Sequence, residues 1–479
     1  MFLNLKQDLT ESKYKEKYGE VNTDFALITK MLNIIPRECF TYPSLKWLDP
    51  CCGHGYFMIL LFKKLYAGLK KRIPNDKKRQ NHIIEKMLYI VEINEEHIPK
   101  LRELFGEKAN IYNSDFLKTK LPKFDIIIGN PPFNSKGIKK VPTNKKLDKL
   151  KDGKTTWPAF LKHSMSILKK NGYLVMITPS IWMRPDRAKM YHFLTQFDIQ
   201  KIHCFTNTET NKLFHGSAQT PTCFFLLKNS PSPNRVTLFD NQLKIFTPWF
   251  FWRKDLPIPV FASHTLYKLQ KYVKIYGNLN VIKTNMPDKK AHYNEKFSFI
   301  TPYPNVKTCL LDKNQPYLKI NYTNRPIQYS ETPKLILAHK MYGFPFFDDT
   351  GKFGISNRDN YIIIGKSRGE MLMIRDYLST RFARYLFEAT RYRMKYLEKN
   401  IFELLPDITK FYRKNKVIND NELFNLFNLE PIERKVILEF HKKNYLCCIE
   451  KSTQKKAPII SPFLADISLF FVFFFGQFW

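Results

Sequence analysis

The sequence predicts an α/β fold, a largely parallel sheet with flanking helices, followed by a mixed α+β domain. Three observations carry this. Strand-like apolar runs alternate with helix-like runs from residue 45 to residue 228. A glycine-rich turn joins the first strand to the first long helix, where small residues let backbone amides approach a ligand. From about residue 240 the alternation stops and Tyr, Phe, Pro and Asn dominate, as in an irregular mixed domain.

Leu45–Leu48 leads into Asp49-Pro50-Cys51-Cys52-Gly53-His54-Gly55, and an amphipathic run follows from Tyr56 to Leu69. A basic insert, LKKRIPNDKKRQNH, separates that helix from a strand over Met87–Val91, which ends at Glu92. Glu95–Phe105 reads as a helix, and Asn110–Asn113 as a short strand closed by Ser114-Asp115-Phe116. Phe124–Gly129 is a buried strand that delivers the chain into Asn130-Pro131-Pro132-Phe133. After a Lys-rich loop come a helix over Trp157–Lys169, a strand over Gly172–Thr178 and a helix near Arg187–Gln196. Two further strands follow, Gln200–Phe205 and Thr222–Leu227. The turn-forming SPSPN then sets an expected boundary between a catalytic domain, 1–235, and a second domain, 236–479, helical from Glu370 to Leu404.

The 78 Lys and Arg against 43 Asp and Glu leave a net charge of +35. The basic residues divide evenly, 40 in residues 1–240 and 38 in 241–479, so the charge is no detachable tail. A polyanion touching both halves would use that distribution, and nucleic acid is the expected one; a Lys-rich solvated surface gives the same count. Eight cysteines without a C-x-x-C or a His partner at metal spacing argue against a zinc site or a secreted disulfide framework. A reduced, intracellular compartment and no metal are expected. The polar N-terminus lacks the pattern of a signal peptide. The apolar run Ile467–Phe475 is too short to span a bilayer, so no membrane partner is expected.

Three successive strand ends bear chemistry suited to a nucleoside cofactor. Gly53 and Gly55 shape the turn after Asp49; Glu92 can take both hydroxyls of a ribose; Asp115 can accept from an adenine amino group while Phe116 packs on the ring. Singly, each acidic residue is more often a cap or a surface charge. Asn130-Pro131-Pro132-Phe133, at the fourth strand end, is the decisive element. Two prolines fix the backbone so that carbonyls point outward instead of joining a ladder. The Asn130 side-chain oxygen and the Pro131 carbonyl can then accept both hydrogens of one amino group. That draws its lone pair out of the aromatic ring and towards an electrophile. Phe133 offers a face for the base to stack on.

These motifs resemble the amino-methyltransferases, specifically the adenine-N6 DNA methyltransferases of the γ order found in restriction-modification systems. The resemblance implies a Rossmann-like S-adenosylmethionine methyltransferase sheet and a C-terminal target-recognition domain. Tyr18-Gly19-Glu20-Val21-Asn22-Thr23-Asp24 is similar to the family's leading segment, with Asp24 where the pattern has Pro; it implies that Thr23 contacts the methionine part of the cofactor. By the same resemblance Asp49, Cys51, Glu92, Asp115, Phe116 and Pro132 line the cofactor pocket and Phe160 borders it. Phe214, in KLFHGSAQTPTCFFLLK, matches a second aromatic beside the flipped base. The matching motifs span residues 18–228; the distal half resembles recognition domains only loosely, through GFPFF, NIFELLPDI and NDNELFNLFNLEPIERKVILEF.

A base inside a duplex cannot reach such a loop, so base flipping of double-stranded DNA is expected. The eight lysines between Ser135 and Thr156 would close over the target and neutralise phosphates, or form a solvated insertion. Arg381, Arg384, Arg391, Arg393 and Lys395, with Tyr385, Tyr392 and Tyr396, suit either a nucleic-acid contact or a basic amphipathic helix packed on the core. Cytosine-C5 chemistry is excluded because Cys51 follows the first strand, not the fourth. Cytosine-N4 enzymes usually lead the loop with Ser or Asp. RNA base and protein-glutamine methylation share Asn-Pro-Pro loops, the latter in shorter chains without a large distal domain. A non-catalytic DNA-binding protein on this fold would not need every catalytic position filled. A monomer is expected, with room for a separate restriction endonuclease as partner.

Overall fold

The computed structural model describes residues 15–135, 154–218, 220–312, 315–339, 344–393, 397–412 and 416–440. The chain forms two compact units. The first comprises Met1–Asn278 and Leu386–Pro406, the second Leu279–Tyr385 and Asp407–Trp479.

The first unit is built on a nine-stranded sheet. Its strands are β1 (Trp47–Asp49), β2 (Leu88–Glu92), β3 (Asn110–Asn113), β4 (Phe124–Gly129), β5 (Leu168–Pro179), β6 (Phe197–Phe205), β7 (Thr222–Pro231), β8 (Arg235–Asp240) and β9 (Ile245–Phe250). Their spatial order is β9-β8-β6-β7-β5-β4-β1-β2-β3. The pairs β1–β2, β2–β3, β1–β4 and β4–β5 are parallel. β7 is inserted antiparallel between β5 and β6. β8 runs parallel to β6, and β9 antiparallel to β8. The expected boundary at residue 235 therefore falls within this sheet, whose hydrogen-bond ladder continues to Phe250.

Short apolar runs become central strands here because both faces are covered. Trp47, Leu48, Ile126, Ile127 and Ile128 are each at most 1% exposed. Helix α1 (Phe25–Asn33) buries Leu27, Ile28, Met31 and Leu32, an i, i+1, i+4, i+5 stripe, and is capped by Asp24, whose side chain accepts from Ala26 N at 2.6 Å. The residue that departs from the family pattern thus acts as a helix cap. Helix α2 (Tyr56–Gly68) buries seven residues, among them Phe57, Met58, Leu61, Phe62 and Leu65, each worth roughly 1.5–3 kcal/mol of hydrophobic stabilisation. It starts at Gly55, whose φ of 78° and close packing favour glycine: a Cβ there would lie 2.9 Å from Leu101 on helix α3 (Ile98–Phe105). The basic insert is anchored rather than floating. Arg79, 1% exposed, donates to Ile73 O (2.7 Å) and Pro74 O (3.0 Å) and lies 4.1 Å over the Tyr66 ring.

Because β1 to β4 are parallel, the chain leaves all four at the same sheet edge. β1 has β2 on one side and β4 on the other, so the strand order reverses there, the place where open α/β sheets bind ligands.

The second unit carries two four-stranded sheets. One runs Ile282–Lys283, Asn360–Ile363, Lys334–Ala338, Phe346–Asp348; the other Tyr293–Asn294, Gln315–Thr323, Tyr303–Asp312, Gly354–Ile355. Val306, Cys309, Ile336, Ala338, Ile355 and Ile362 form its core cluster. The helix Arg368–Ser379 begins at a Ser367/Glu370 capping box. Tyr385, in this unit, is fully buried; in the segment Leu386–Pro406, which belongs to the first unit, Tyr392 is fully buried as well, and Arg391 and Arg393 pair with Glu388 (2.7 Å) and Glu398 (3.3 Å). The two tyrosines are thus core residues; Lys395 and Tyr396 lie outside the described residues. So do most of the Lys-rich loop and the apolar C-terminal run. Among the described residues no helix is long and apolar enough to cross a membrane.

Candidate active site

The ends of β1, β2 and β4 converge on one another. Asp49 is fully buried; its Oδ1 accepts from Cys51 N (3.1 Å), and its Oδ2 has no hydrogen-bond partner among the described residues. Burial, with the nearby Glu92 charge adding to it, pushes the Asp49 carboxyl up to about 8. Glu92 reaches across to the glycine turn: Oε2 accepts from Gly53 N and Oε1 from Asn94 N, both at 2.7 Å. Burial raises the Glu92 pKa as well, against these donors. Oε2 takes a second, long contact from the Cys52 thiol at 3.9 Å. The Cys51 thiol, held protonated by burial and then by the Asp49 and Glu92 charges, donates to Asn130 O at 3.2 Å. That contact ties the first strand end to the fourth.

At the end of β3, Asp115 Oδ1 accepts from Leu117 N at 3.1 Å, and Lys118 lies 3.9 Å from Oδ2. Phe116 is buried, its ring 5.3 Å from Phe160 and 4.7 Å from His163. Phe160 lies on helix α4 (Trp157–Ile167), which ends two residues earlier than the sequence predicts because Leu168 already enters β5.

Asn130 is oriented by the leading segment. Its Nδ2 donates to Thr23 Oγ1 (3.0 Å) and Val21 O (3.4 Å), which leaves Oδ1 as the outward acceptor. That Oδ1 is buried and has no hydrogen-bond partner among the described residues. Gly19 sits against the same loop; a Cβ there would overlap the Asn134 carbonyl and Pro132. Pro131 is buried, and the Pro132 carbonyl accepts from Thr156 Oγ1 at 2.6 Å. Thr156 N also donates to Phe133 O at 3.2 Å, so Thr156, which sequence reasoning passes over, pins the loop from its far side. Phe133 and Phe214 come together with ring centroids 6.3 Å apart at 79°. They meet edge to face and do not form a parallel slot.

Residues 6–214 match the Eco57I restriction-modification methylase family. The type II methyltransferase M.VspI of Vibrio sp. is 30% identical over 178 residues, 35% of this chain and 38% of that protein. An uncharacterised adenine-specific methylase of Mycoplasma pneumoniae is 37% identical over 75 residues, 15% of this chain and 18% of that one. A release factor glutamine methyltransferase of Borreliella burgdorferi is 29% identical over 240 residues, 41% of this chain and 79% of that one. The chain thus spans under two fifths of the length of the first two relatives. The methylase resemblance read from the motifs holds over this N-terminal segment, which contains the strand-end cluster, the Asn130 loop and Phe214.

Glu20, His54 and His97 bring their donor atoms together beside Gly53 and Glu92, although the three residues lie far apart in the chain.

Proposed function

We propose that the chain is a site-specific DNA methyltransferase that transfers a methyl group from S-adenosylmethionine to the N6 amino group of adenine by base flipping. The observation that carries this reading is the Asn130 side chain: its amide nitrogen is engaged by Thr23 and Val21, and its buried oxygen is left for an incoming donor. An unmatched buried acceptor costs about 1–3 kcal/mol, which an amino group would recover on binding. The two-relative adenine and type II methylase similarities support the same reading.

A sulfonium nucleoside suits the donor set, since Glu92 and Asp115 end adjacent strands and Asp49 adds a buried carboxyl whose Oδ2 has no hydrogen-bond partner among the described residues. When bound, the cofactor supplies an electrophilic methyl group, taken by the amine lone pair as the carbon–sulfur bond breaks and sulfur keeps the electron pair. Asn130 Oδ1 and the Pro131 carbonyl accept the two amino hydrogens and turn the lone pair out of conjugation. Phe133 stacks on the extruded base, and Phe214 closes its edge. The chain's residues contribute mainly position, which is where an in-line displacement gains most. The extra proton leaves the amine to water afterwards. Net charge of +35 favours a polyanion and makes binding salt-dependent.

The glutamine methyltransferase similarity favours a second reading, a protein amide as methyl acceptor, whose –CONH2 could use the same two carbonyls. Transfer of labelled methyl from S-adenosylmethionine to duplex DNA, single-stranded DNA, RNA and a peptide-release factor separates these. N6-methyladenine in duplex DNA is the expected product. Label in RNA or protein alone replaces the DNA reading.

A further inference from the structure

Glu20 Oε1 lies 3.7 Å from Nε2 of His54 and 3.7 Å from Nε2 of His97, and one ligand atom from each residue lies within 4.8 Å of the others. The two imidazole centroids are 4.6 Å apart. Zinc binds imidazole nitrogen at about 2.0–2.1 Å and carboxylate oxygen at about 2.0–2.2 Å, so neighbouring ligands of a tetrahedral site sit roughly 3.3–3.5 Å apart. The carboxylate needs to close by only a few tenths of an ångström on each ring, and the two ligating nitrogens, within 4.8 Å of one another, by up to about 1.5 Å. His97 is 8% exposed, Glu20 12% and His54 23%, a partly enclosed setting with one side open to solvent. Behind His97, its Nδ1 faces Glu92 Oε1 at 3.8 Å, close enough that a small shift would let the carboxylate orient a ligating imidazole. Asn94 Nδ2 is 3.4 Å from His97 Nε2, a long contact that an ion at that nitrogen would displace.

We propose that Glu20, His54 and His97 form a site for a zinc-class dication, Zn2+ or Ni2+, with a fourth position open to water. The inference stands apart from the methyl-transfer reading, since no step of that chemistry runs through the ion. Its role would be positional. Glu20 belongs to the leading segment that carries Thr23 and lies against the Asn130 loop, His54 sits in the glycine turn, and His97 precedes α3. An ion bridging the three would fasten the segment that orients Asn130 onto the cofactor turn. No local spacing announces the site, which is why a scan for Cys and His motifs passes over it.

The test uses the full chain, stripped with a chelator and titrated calorimetrically with ZnCl2 and NiCl2. One ion per chain with a Kd near or below 1 µM is expected, with a rise in Tm on loading. His54→Gln and His97→Gln should each weaken binding about 100-fold, and Glu20→Gln about tenfold. X-ray absorption of the zinc-loaded wild type needs no variant to fold. It should show two imidazoles and oxygen, without the sulfur shell at about 2.3 Å that Cys51 or Cys52 would contribute. Binding weaker than about 100 µM, a sulfur shell, or undiminished affinity in folded His variants overturns the proposal.

Discussion

Two buried polar clusters in this chain are built in opposite ways. In the second unit, Lys334 and Asp348 pair at 2.6 Å with side chains 0% and 2% exposed. The ammonium also donates to Tyr329 O (2.9 Å) and Thr332 O (3.0 Å), while the carboxylate accepts from Lys352 N and Phe353 N, both at 3.0 Å. Three ammonium hydrogens find three acceptors, and both carboxylate oxygens are used. In the first unit, Asn130 Oδ1 and Asp49 Oδ2 are buried and have no hydrogen-bond partner among the described residues. A closed network fixes a turn and asks nothing from outside. An open one, where it lies at converging strand ends, holds free energy that a ligand can recover.

The comparison breaks most sharply at Asn130. Asn130→Ala should lower turnover by about 10^3-fold, the loss typical of a deleted transition-state hydrogen-bonding group. Cofactor affinity should stay within about threefold and Tm should hold or rise, because an unmatched acceptor leaves the core. Labelled transfer, calorimetric titration and a thermal melt read the three quantities, and unchanged turnover would remove Asn130 from the chemistry. The closed cluster should behave in the reverse sense. Lys334→Met strands the Asp348 charge and should destabilise the second unit by about 3–5 kcal/mol in denaturant unfolding. Adding Asp348→Leu should recover most of the loss, and a loss under about 1 kcal/mol in the single variant would show that the pair is not structural.

What the residues announce and what they conceal follow the same division between local and distant chemistry. Strand ends, the glycine turn and the Asn-Pro-Pro-Phe loop are legible because each lies within a few residues and its period or turn chemistry is local. β7 reads as a strand from Thr222–Leu227, but its antiparallel insertion between β5 and β6 is set by which ladder has a vacant edge, a property of the whole sheet. β8 and β9 are missed for a related reason: SPSPN breaks the chain as a turn does within a domain or between domains. The Arg- and Tyr-rich stretch after residue 380 looks like a contact face by composition, yet Tyr385 and Tyr392 are buried, because tyrosine serves cores and surfaces alike. Thr156 and the Glu20–His54–His97 cluster have no local pattern at all.

Asp49 links the open cluster to pH. Burial first, and then the Glu92 charge, hold its folded-state pKa at about 8, above an unfolded value near 4. Between those values the folded state keeps a proton that the unfolded state has released. Stability of the ligand-free protein should therefore fall as pH rises from about 4 to about 8 and level off above, by up to roughly 1.4 kcal/mol per pH unit. Glu92, raised in the same direction, adds to the slope. Asp49→Asn should flatten it in melts across pH 5–9; an unaltered slope would place the linkage elsewhere.

The smallest effect is expected at Phe133. Its ring is half-buried and meets Phe214 edge to face, so removing it costs little packing in the free protein. The loss should appear with the base, since stacking on an aromatic face is worth about 1–3 kcal/mol. Phe133→Ala should reduce turnover on duplex DNA about tenfold, Phe133→Trp should retain it, and neither should shift cofactor affinity. If the alanine variant instead lost cofactor affinity while turnover at saturation held, Phe133 would belong to the cofactor side of the cluster and the base would stack elsewhere.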